Sequence, residues 1–310
     1  MAILLIHGGA GTVRERYRAA YAAGLRAAVD AGHVALTAPA SDDAPRALRA
    51  VLAAVTSMES NPDAFNAGVG GALTRDGAVE LDACVMLSGA GAGAVAGVTN
   101  TPNPVLLADL VRRATPHVLL IGAGAEALVA DPVPNEALIT EKSRAALELW
   151  RMGAEEQLEQ PAAHGPTGSN TVGAVALDDE GHLAAATSTG GRTGQWRGRV
   201  GDAPLPGLGT YADELVAVSC TGKGEAFMEA VTAGKLAAAL EAGVPLEEAL
   251  RRALAGVARR GGDGGIIAVT ADGQVGVAFD SPHMAYGVAA PGVDVAEVAT
   301  APFVKVLRPG

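Results

Sequence analysis

Thr171-Val172-Gly173-Ala174-Val175-Ala176-Leu177 and His182-Leu183-Ala184-Ala185-Ala186-Thr187-Ser188-Thr189 are two β-patterned runs joined by Asp178-Asp179-Glu180-Gly181. A polar, glycine-ended turn between two such runs is a hairpin signal. Gly265–Thr270 and Gln274–Phe279, joined by Ala271-Asp272-Gly273, form a second one. Hairpins pair antiparallel, which favours a layered α/β sandwich over a doubly wound parallel sheet.

Outward from the first hairpin, residues 153–170 are polar, with two prolines and almost no periodicity, and read as a linker near mid-chain. On its far side, Ala2–Ile6 reads as a buried strand breaking into the Gly8-Gly9-Ala10-Gly11 loop. Helical spacing covers Arg14–Ala31 and Pro45–Ser57. Val79–Met86 and Ala94–Val98 read as strands, and Asn103-Pro104 opens a helix through Arg113. Val118–Ile121 reads as a buried strand and Asn135–Met152 as a helix. Beyond the first hairpin come a strand at Val216–Cys220 and helices at Glu225–Ala242 and Pro245–Val257.

Composition bounds the function. Of 310 residues 49% are apolar and 18% charged, enough for a large core and too little charge for general disorder. Glycine numbers 41 and aromatics are 3%, so the layers must approach closely through small side chains. The net charge of −11, with no basic run, repels phosphate backbones and argues against a nucleic-acid partner. Cys84 and Cys220 lie in apolar contexts without CxxC spacing, which fits a reducing cytoplasm. Residues 83–108 carry no charge, yet their glycines and the Thr99-Asn100-Thr101-Pro102-Asn103-Pro104 run would leave backbone unsatisfied in lipid, so no membrane span is expected. The first residues lack a basic segment and a long apolar run, so a cytoplasmic location is expected.

The common catalytic signatures are absent: no G-x-S-x-G, no H-E-x-x-H, no P-loop, and no metal-ligand spacing among the six histidines. Gly122-Ala123-Gly124-Ala125-Glu126-Ala127, with Glu141 downstream, imitates a dinucleotide fingerprint but also reads as a close-packed strand-to-helix turn. More informative are three threonines at glycine-flanked strand ends, Thr171, Thr189 and Thr221, with Arg199 and Asp202 three apart. Together they supply a hydroxyl nucleophile, donors for an oxyanion and a charged clamp for a zwitterion.

His7-Gly8-Gly9-Ala10-Gly11, Asn66-Ala67-Gly68, Glu80-Leu81-Asp82-Ala83, Thr171 to Ala176, Thr187-Ser188-Thr189-Gly190-Gly191, Gly198-Arg199-Val200-Gly201-Asp202 and Thr221-Gly222-Lys223-Gly224-Glu225 resemble plant-type L-asparaginase/isoaspartyl peptidases, a family of N-terminal nucleophile hydrolases. The resemblance implies a four-layer αββα sandwich and a precursor that cuts itself between Asn170 and Thr171, giving an α-subunit (1–170) and a β-subunit (171–310) of one folded unit. It implies hydrolysis of L-asparagine and β-aspartyl dipeptides through a covalent ester on Thr171, with the new α-amine as base. It gives Thr189 a place beside the nucleophile, and assigns the oxyanion hole to Thr221 and Gly222. Arg199 would take the substrate α-carboxylate and Asp202 its α-ammonium, with Gly224 lining the pocket and Asn66 supporting the nucleophile. It further implies no organic cofactor, a structural sodium ion on carbonyls of the loop containing Glu59, Phe65, Ala67 and Val69, and a homodimer of processed units. His7 reads as a structural hydrogen-bonder.

One position departs from the family pattern: Asn170 stands where Gly or Asp is usual. A scissile peptide must be distorted for attack, and Asn tolerates unusual backbone better than most residues, so cutting is expected at some loss of rate. Two alternatives remain at this point, a glycosylasparaginase-like amidase of the same superfamily and an NAD(P)-binding oxidoreductase using the Gly122 turn. The latter needs a parallel βαβ series around Gly122.

Overall fold

A computed structural model describes residues 1–13, 15–39, 44–153 and 171–309. Asn170 and all of the expected linker except Gly153 lie outside the described residues. In chain order the elements are β1 (Ile3–Gly11), α1 (Arg18–Thr37), α2 (Arg46–Glu59), β2 (Leu81–Leu87), β3 (Gly91–Val98), α3 (Pro104–Ala114), β4 (Leu119–Ile121), α4 (Gly122–Glu126) and α5 (Glu141–Arg151). From residue 171 onward come β5 (Val172–Leu177), β6 (Leu183–Thr189), β7 (Thr210–Ala212), β8 (Val216–Gly222), α6 (Gly224–Ala230), α7 (Thr232–Glu241), α8 (Leu246–Ala258), β9 (Gly264–Thr270), β10 (Val275–Phe279), β11 (His283–Ala290), β12 (Val293–Ala299) and β13 (Phe303–Leu307).

Both hairpins form: β5 pairs antiparallel with β6, and β9 with β10. They seed two different sheets. The large sheet runs β12-β11-β1-β5-β6-β2-β3-β4 and the small one β13-β10-β9-β8-β7. Strand alternation sorts side chains between layers. On β5, Val172, Ala174 and Ala176 face the core under α1, α2 and α3, while Val175 and Leu177 face the small sheet. On β8, Val216, Val218 and Cys220 face α6, α7 and α8, while Ala217 faces the large sheet. The result is helices, sheet, sheet, helices. This is the expected αββα sandwich, and β5 sits inside the large sheet between β1 and β6.

Several local expectations change. β1 does not stop at Ile6 but continues through the glycines, with a register shift between His7 and Ala10 where it pairs with β11. α1 starts at Arg18, after a short turn, rather than at Arg14. The helix expected from Asn135 begins only at Glu141, because Thr140 and Ser143 close a capping box there. The helix expected over Glu225–Ala242 is two, broken at Val231, whose φ of 54° is left-handed. β4 is an exposed edge strand rather than a buried one, with Ile121 66% exposed. It joins β3 in a parallel pair, but β4 has three residues and the next helix five, so the Gly122 turn meets no doubly wound sheet. No helix among the described residues is long and apolar enough to cross a membrane.

Candidate active site

Thr171 stands immediately before β5 and is 2% exposed, with its side chain on the inner face. β5 and β6 pair Val172 with Ser188 and Gly173 with Thr187, which brings Thr171 opposite Thr189. The Thr171 hydroxyl donates to Thr189 Oγ1 at 3.2 Å, and Thr189 Oγ1 also accepts the Gly191 N–H at 3.1 Å. Asn66, 6% exposed, has its carbonyl against Gly190, next to Thr189. Its Oδ1 is buried without a partner.

Thr221 comes from the opposite sheet. It lies on the inner face of β8, with no exposed surface and a hydroxyl that has no hydrogen-bond partner. Ala217, four residues earlier, belongs to the apolar cluster of Val175 and Ala185, so Thr221 points to the Thr171 and Thr189 end of the layer. A buried hydroxyl without a partner is unfavourable unless something fills its place, and that directs attention to a ligand. Gly222 closes β8 and Gly224 opens α6.

Arg199 and Asp202 converge on Gly224. A Cβ there would stand 2.9 Å from Arg199 Nη2 and 3.0 Å from Asp202 Oδ1, so only glycine leaves the passage open. Arg199 meets Glu225 Oε1 at 3.1 Å, and Glu225 in turn lies 3.8 Å from Arg192. Burial works against the Glu225 charge, but the hydrogen bond and charge of Arg199 hold its carboxyl below the usual range. Asp202 is 3% exposed and its Oδ2 has no partner. Burial pushes it up to about 7, with Arg199 opposing. A buried carboxylate beside an arginine, with an oxygen to spare, is suited to an arriving ammonium group.

Some contributors escaped the sequence reading. Glu80 Oε2 accepts the Gly198 N–H at 2.8 Å, and Asp82 Oδ2 lies 3.5 Å from the Gly201 nitrogen. These two carboxylates hold the backbone on either side of Arg199, immediately ahead of Asp202. Their signal was the Glu80-Leu81-Asp82-Ala83 stretch of the family resemblance, which did not say what the two carboxylates hold. Glu225 as partner of Arg199 was also missed, although it follows the Thr221–Gly224 motif directly.

His7 is no candidate base. Its Nε2 lies 2.8 Å from Ser219 Oγ, and burial drives its pKa down to about 3 despite a contribution from the Thr171 backbone. His182 is engaged with Asp178 at 3.1 Å, and His283 with the Val13 N–H and Arg18.

The loop after α2 closes on itself: Val69 N–H donates to the Glu59 carbonyl at 3.0 Å and Phe65 N–H to that of Asn61 at 2.9 Å. The Glu59 carboxylate is spent elsewhere, accepting from Val105 N–H and Asn103 Nδ2 at the start of α3, and burial raises it to about 8. Among the described residues no cluster of His, Cys, Asp or Glu could hold a metal ion. What the loop offers is neutral carbonyl oxygen, a donor set that fits a hard cation and not zinc.

The four-layer sandwich, with a threonine at the head of a central strand and a hydroxyl facing it from the other sheet, has the architecture of the N-terminal nucleophile hydrolases. The family model described as asparaginase matches residues 1–297. The chain is 41% identical over 305 residues to an isoaspartyl peptidase of Escherichia coli, covering 91% of each. It is 40% identical over 291 residues to an isoaspartyl peptidase/L-asparaginase of Xenopus laevis, covering 92% of this chain and 91% of that one. It is 38% identical over 317 residues to a plant-type L-asparaginase of Thermococcus kodakarensis, covering 96% and 99%. The chain belongs to the asparaginase family of hydrolases.

Proposed function

We propose that the chain is a self-processing amidohydrolase that converts L-asparagine to L-aspartate and ammonia and cleaves β-aspartyl dipeptides. The observation that carries this reading is the buried Thr171 hydroxyl, paired with Thr189 and faced by the unpartnered hydroxyl of Thr221.

In maturation the Thr171 hydroxyl attacks the Asn170 carbonyl, the peptide nitrogen leaves as the Thr171 α-amine, and water hydrolyses the ester. That amine, with a reference pKa of about 7.7–8.0, is then the base for the second reaction. It takes the Thr171 hydroxyl proton as the oxygen attacks the substrate side-chain amide. Negative charge develops on the carbonyl oxygen, where the Thr221 hydroxyl and the Gly222 N–H donate. Loss of one such donor typically reduces kcat by about 10²–10³-fold. The protonated amine passes its proton to departing ammonia or to the departing amino group of the dipeptide, and water releases aspartate from Thr171. Arg199 holds the substrate α-carboxylate, displacing Glu225, and Asp202 holds the α-ammonium with the oxygen it has free.

The reaction needs no organic cofactor, because nucleophile, base and oxyanion donors all come from the chain. A sodium ion on the carbonyls of Glu59, Phe65, Ala67 and Val69 would stiffen the loop that carries Asn66, and no step passes through it. We place the enzyme in the cytoplasm, in keeping with two buried, unpaired cysteines, and as a homodimer of processed αβ units. Light scattering on the processed protein tests the dimer.

Kinetics on L-asparagine and on a β-aspartyl dipeptide, with wild type and the uncut Thr171→Ala protein side by side, test the activity. Turnover of both substrates by the wild type alone is expected. Turnover by Thr171→Ala would overturn the nucleophile assignment.

A further inference from the structure

Directly behind the three threonines lies a second row of polar side chains that the reaction does not use. His7 on β1, Gly173 on β5 and Thr187 on β6 are cross-strand neighbours, so they share one row of the inner face. Ser219, from the opposing sheet, fills the space above Gly173, where a Cβ would overlap both its hydroxyl and His7 Nε2. Its Oγ lies 2.8 Å from His7 Nε2 on one side and 2.8 Å from Thr187 Oγ1 on the other. Thr210, the β7 neighbour of Ser219, has its Oγ1 2.6 Å from Thr187 Oγ1 and 2.8 Å from the Ala203 carbonyl, to which it donates. None of His7, Thr187, Thr210 and Ser219 has exposed surface.

Three of these positions lie two residues from a group of the proposed site. Gly173 follows Thr171, Thr187 precedes Thr189, and Ser219 precedes Thr221. Apolar contacts between sheets are non-directional and fix the spacing of layers but not their lateral offset. Hydrogen bonds from one hydroxyl to two strands of the facing sheet fix that offset as well.

We propose that Ser219, bonded to His7 and Thr187, is a positioning residue that sets where Thr221 and Gly222 stand over the Thr171 nucleophile. It touches no substrate. It acts through the next residues on its own strand, so this inference rests on the assignment of Thr221 to the oxyanion hole. A misplacement of about 1 Å at a reacting centre is enough to lower the rate roughly 10²-fold.

The test uses processed protein, with Thr171 confirmed at the new N-terminus, and hydrolysis of a β-aspartyl dipeptide. Ser219→Ala should lower kcat by about ten- to a hundredfold while KM stays within about threefold, because the charged clamp is elsewhere. Thr187→Val, close in shape, should lower kcat in the same way by less, and it carries the test if Ser219→Ala does not fold or process. The decisive comparison is Ser219→Ala in a Thr221→Ala background. A residue acting through Thr221 adds a smaller loss there than in the wild type, because only Gly222 remains to be misplaced, whereas one that merely stabilises the fold multiplies the two losses in full. An unchanged kcat in both Ser219→Ala and Thr187→Val, or multiplied losses in the double variant, would overturn the inference while leaving the reaction itself intact. A wild type inactive on asparagine and dipeptide alike would overturn both.

Discussion

Between the same two sheets, the two ends of one layer are built from opposite chemistry. At one end Ile3, Leu5, Val175, Leu183, Val269 and Val275 pack with no exposed surface. At the other, on the same strands or their neighbours, stand His7, Thr171, Thr187, Thr189, Ser219 and Thr221, none more than 3% exposed. The apolar end stabilises the fold, at about 25 cal/mol for each Å² removed from water. The polar end burdens it, since every hydroxyl there must find a partner or remain unsatisfied. A protein built only for stability would carry the apolar pattern through to the strand ends. Substitutions at the two ends should therefore separate cleanly, one losing reaction and the other losing stability.

The largest effect belongs to Thr171→Ala, which should abolish both self-cleavage and turnover, because both use one hydroxyl. A denaturing gel and a substrate assay on the same sample check this. Next is Arg199→Ala. Loss of a buried charged partner typically removes about 2–5 kcal/mol of binding, so kcat/KM should fall by roughly two to three orders of magnitude while cutting at Thr171 continues. At the apolar end, Ile3→Ala should lower stability by about 2–5 kcal/mol, read from denaturant midpoints, and leave kcat within about twofold.

The smallest effect is in the pH profile. Activity should rise through about pH 6.5–8 as the Thr171 α-amine loses its proton. Asp202, raised to about 7 by burial, titrates in the same window in the free enzyme. Once a substrate ammonium pairs with it, the charged form is favoured and its ionisation moves down, out of the window. The kcat profile should then show one ionisation and the kcat/KM profile two, and neither limb should disappear in His182→Gln or His283→Gln. The same shift acts on stability. The native state binds the Asp202 proton more tightly than the unfolded chain, so stability is lost as pH rises from about 4 to about 7. Asp202→Asn should recover that loss at pH 8 and change nothing at pH 3, a difference readable in urea midpoints.

What the sequence made legible and what it hid follow from how local each feature is. The hairpins were readable because a polar turn between alternating runs is complete within twenty residues. Thr171, Thr189, Thr221, Arg199 and Asp202 were readable because each carries its glycine neighbours with it. Ser219 and Thr187 were not, because a hydroxyl inside a strand has an ordinary β-propensity explanation, and only the facing sheet gives it a role. The break at Val231 was hidden for a related reason. Val231 is not a glycine, and its left-handed turn is imposed from outside, where Ala233 and Gly234 N–H groups bind the carbonyls of Leu208 and Gly207. β12 and β13 went unread because they are only partly buried edge strands, whose alternation is weak.

Intact mass and N-terminal sequencing of the purified, active protein test directly whether the chain is cut before Thr171. Two fragments are expected, 1–170 and 171–310, the second beginning Thr-Val-Gly-Ala-Val. A fully active protein that remains one uncut chain would contradict this, since Thr171 would then have no free amine to serve as its base.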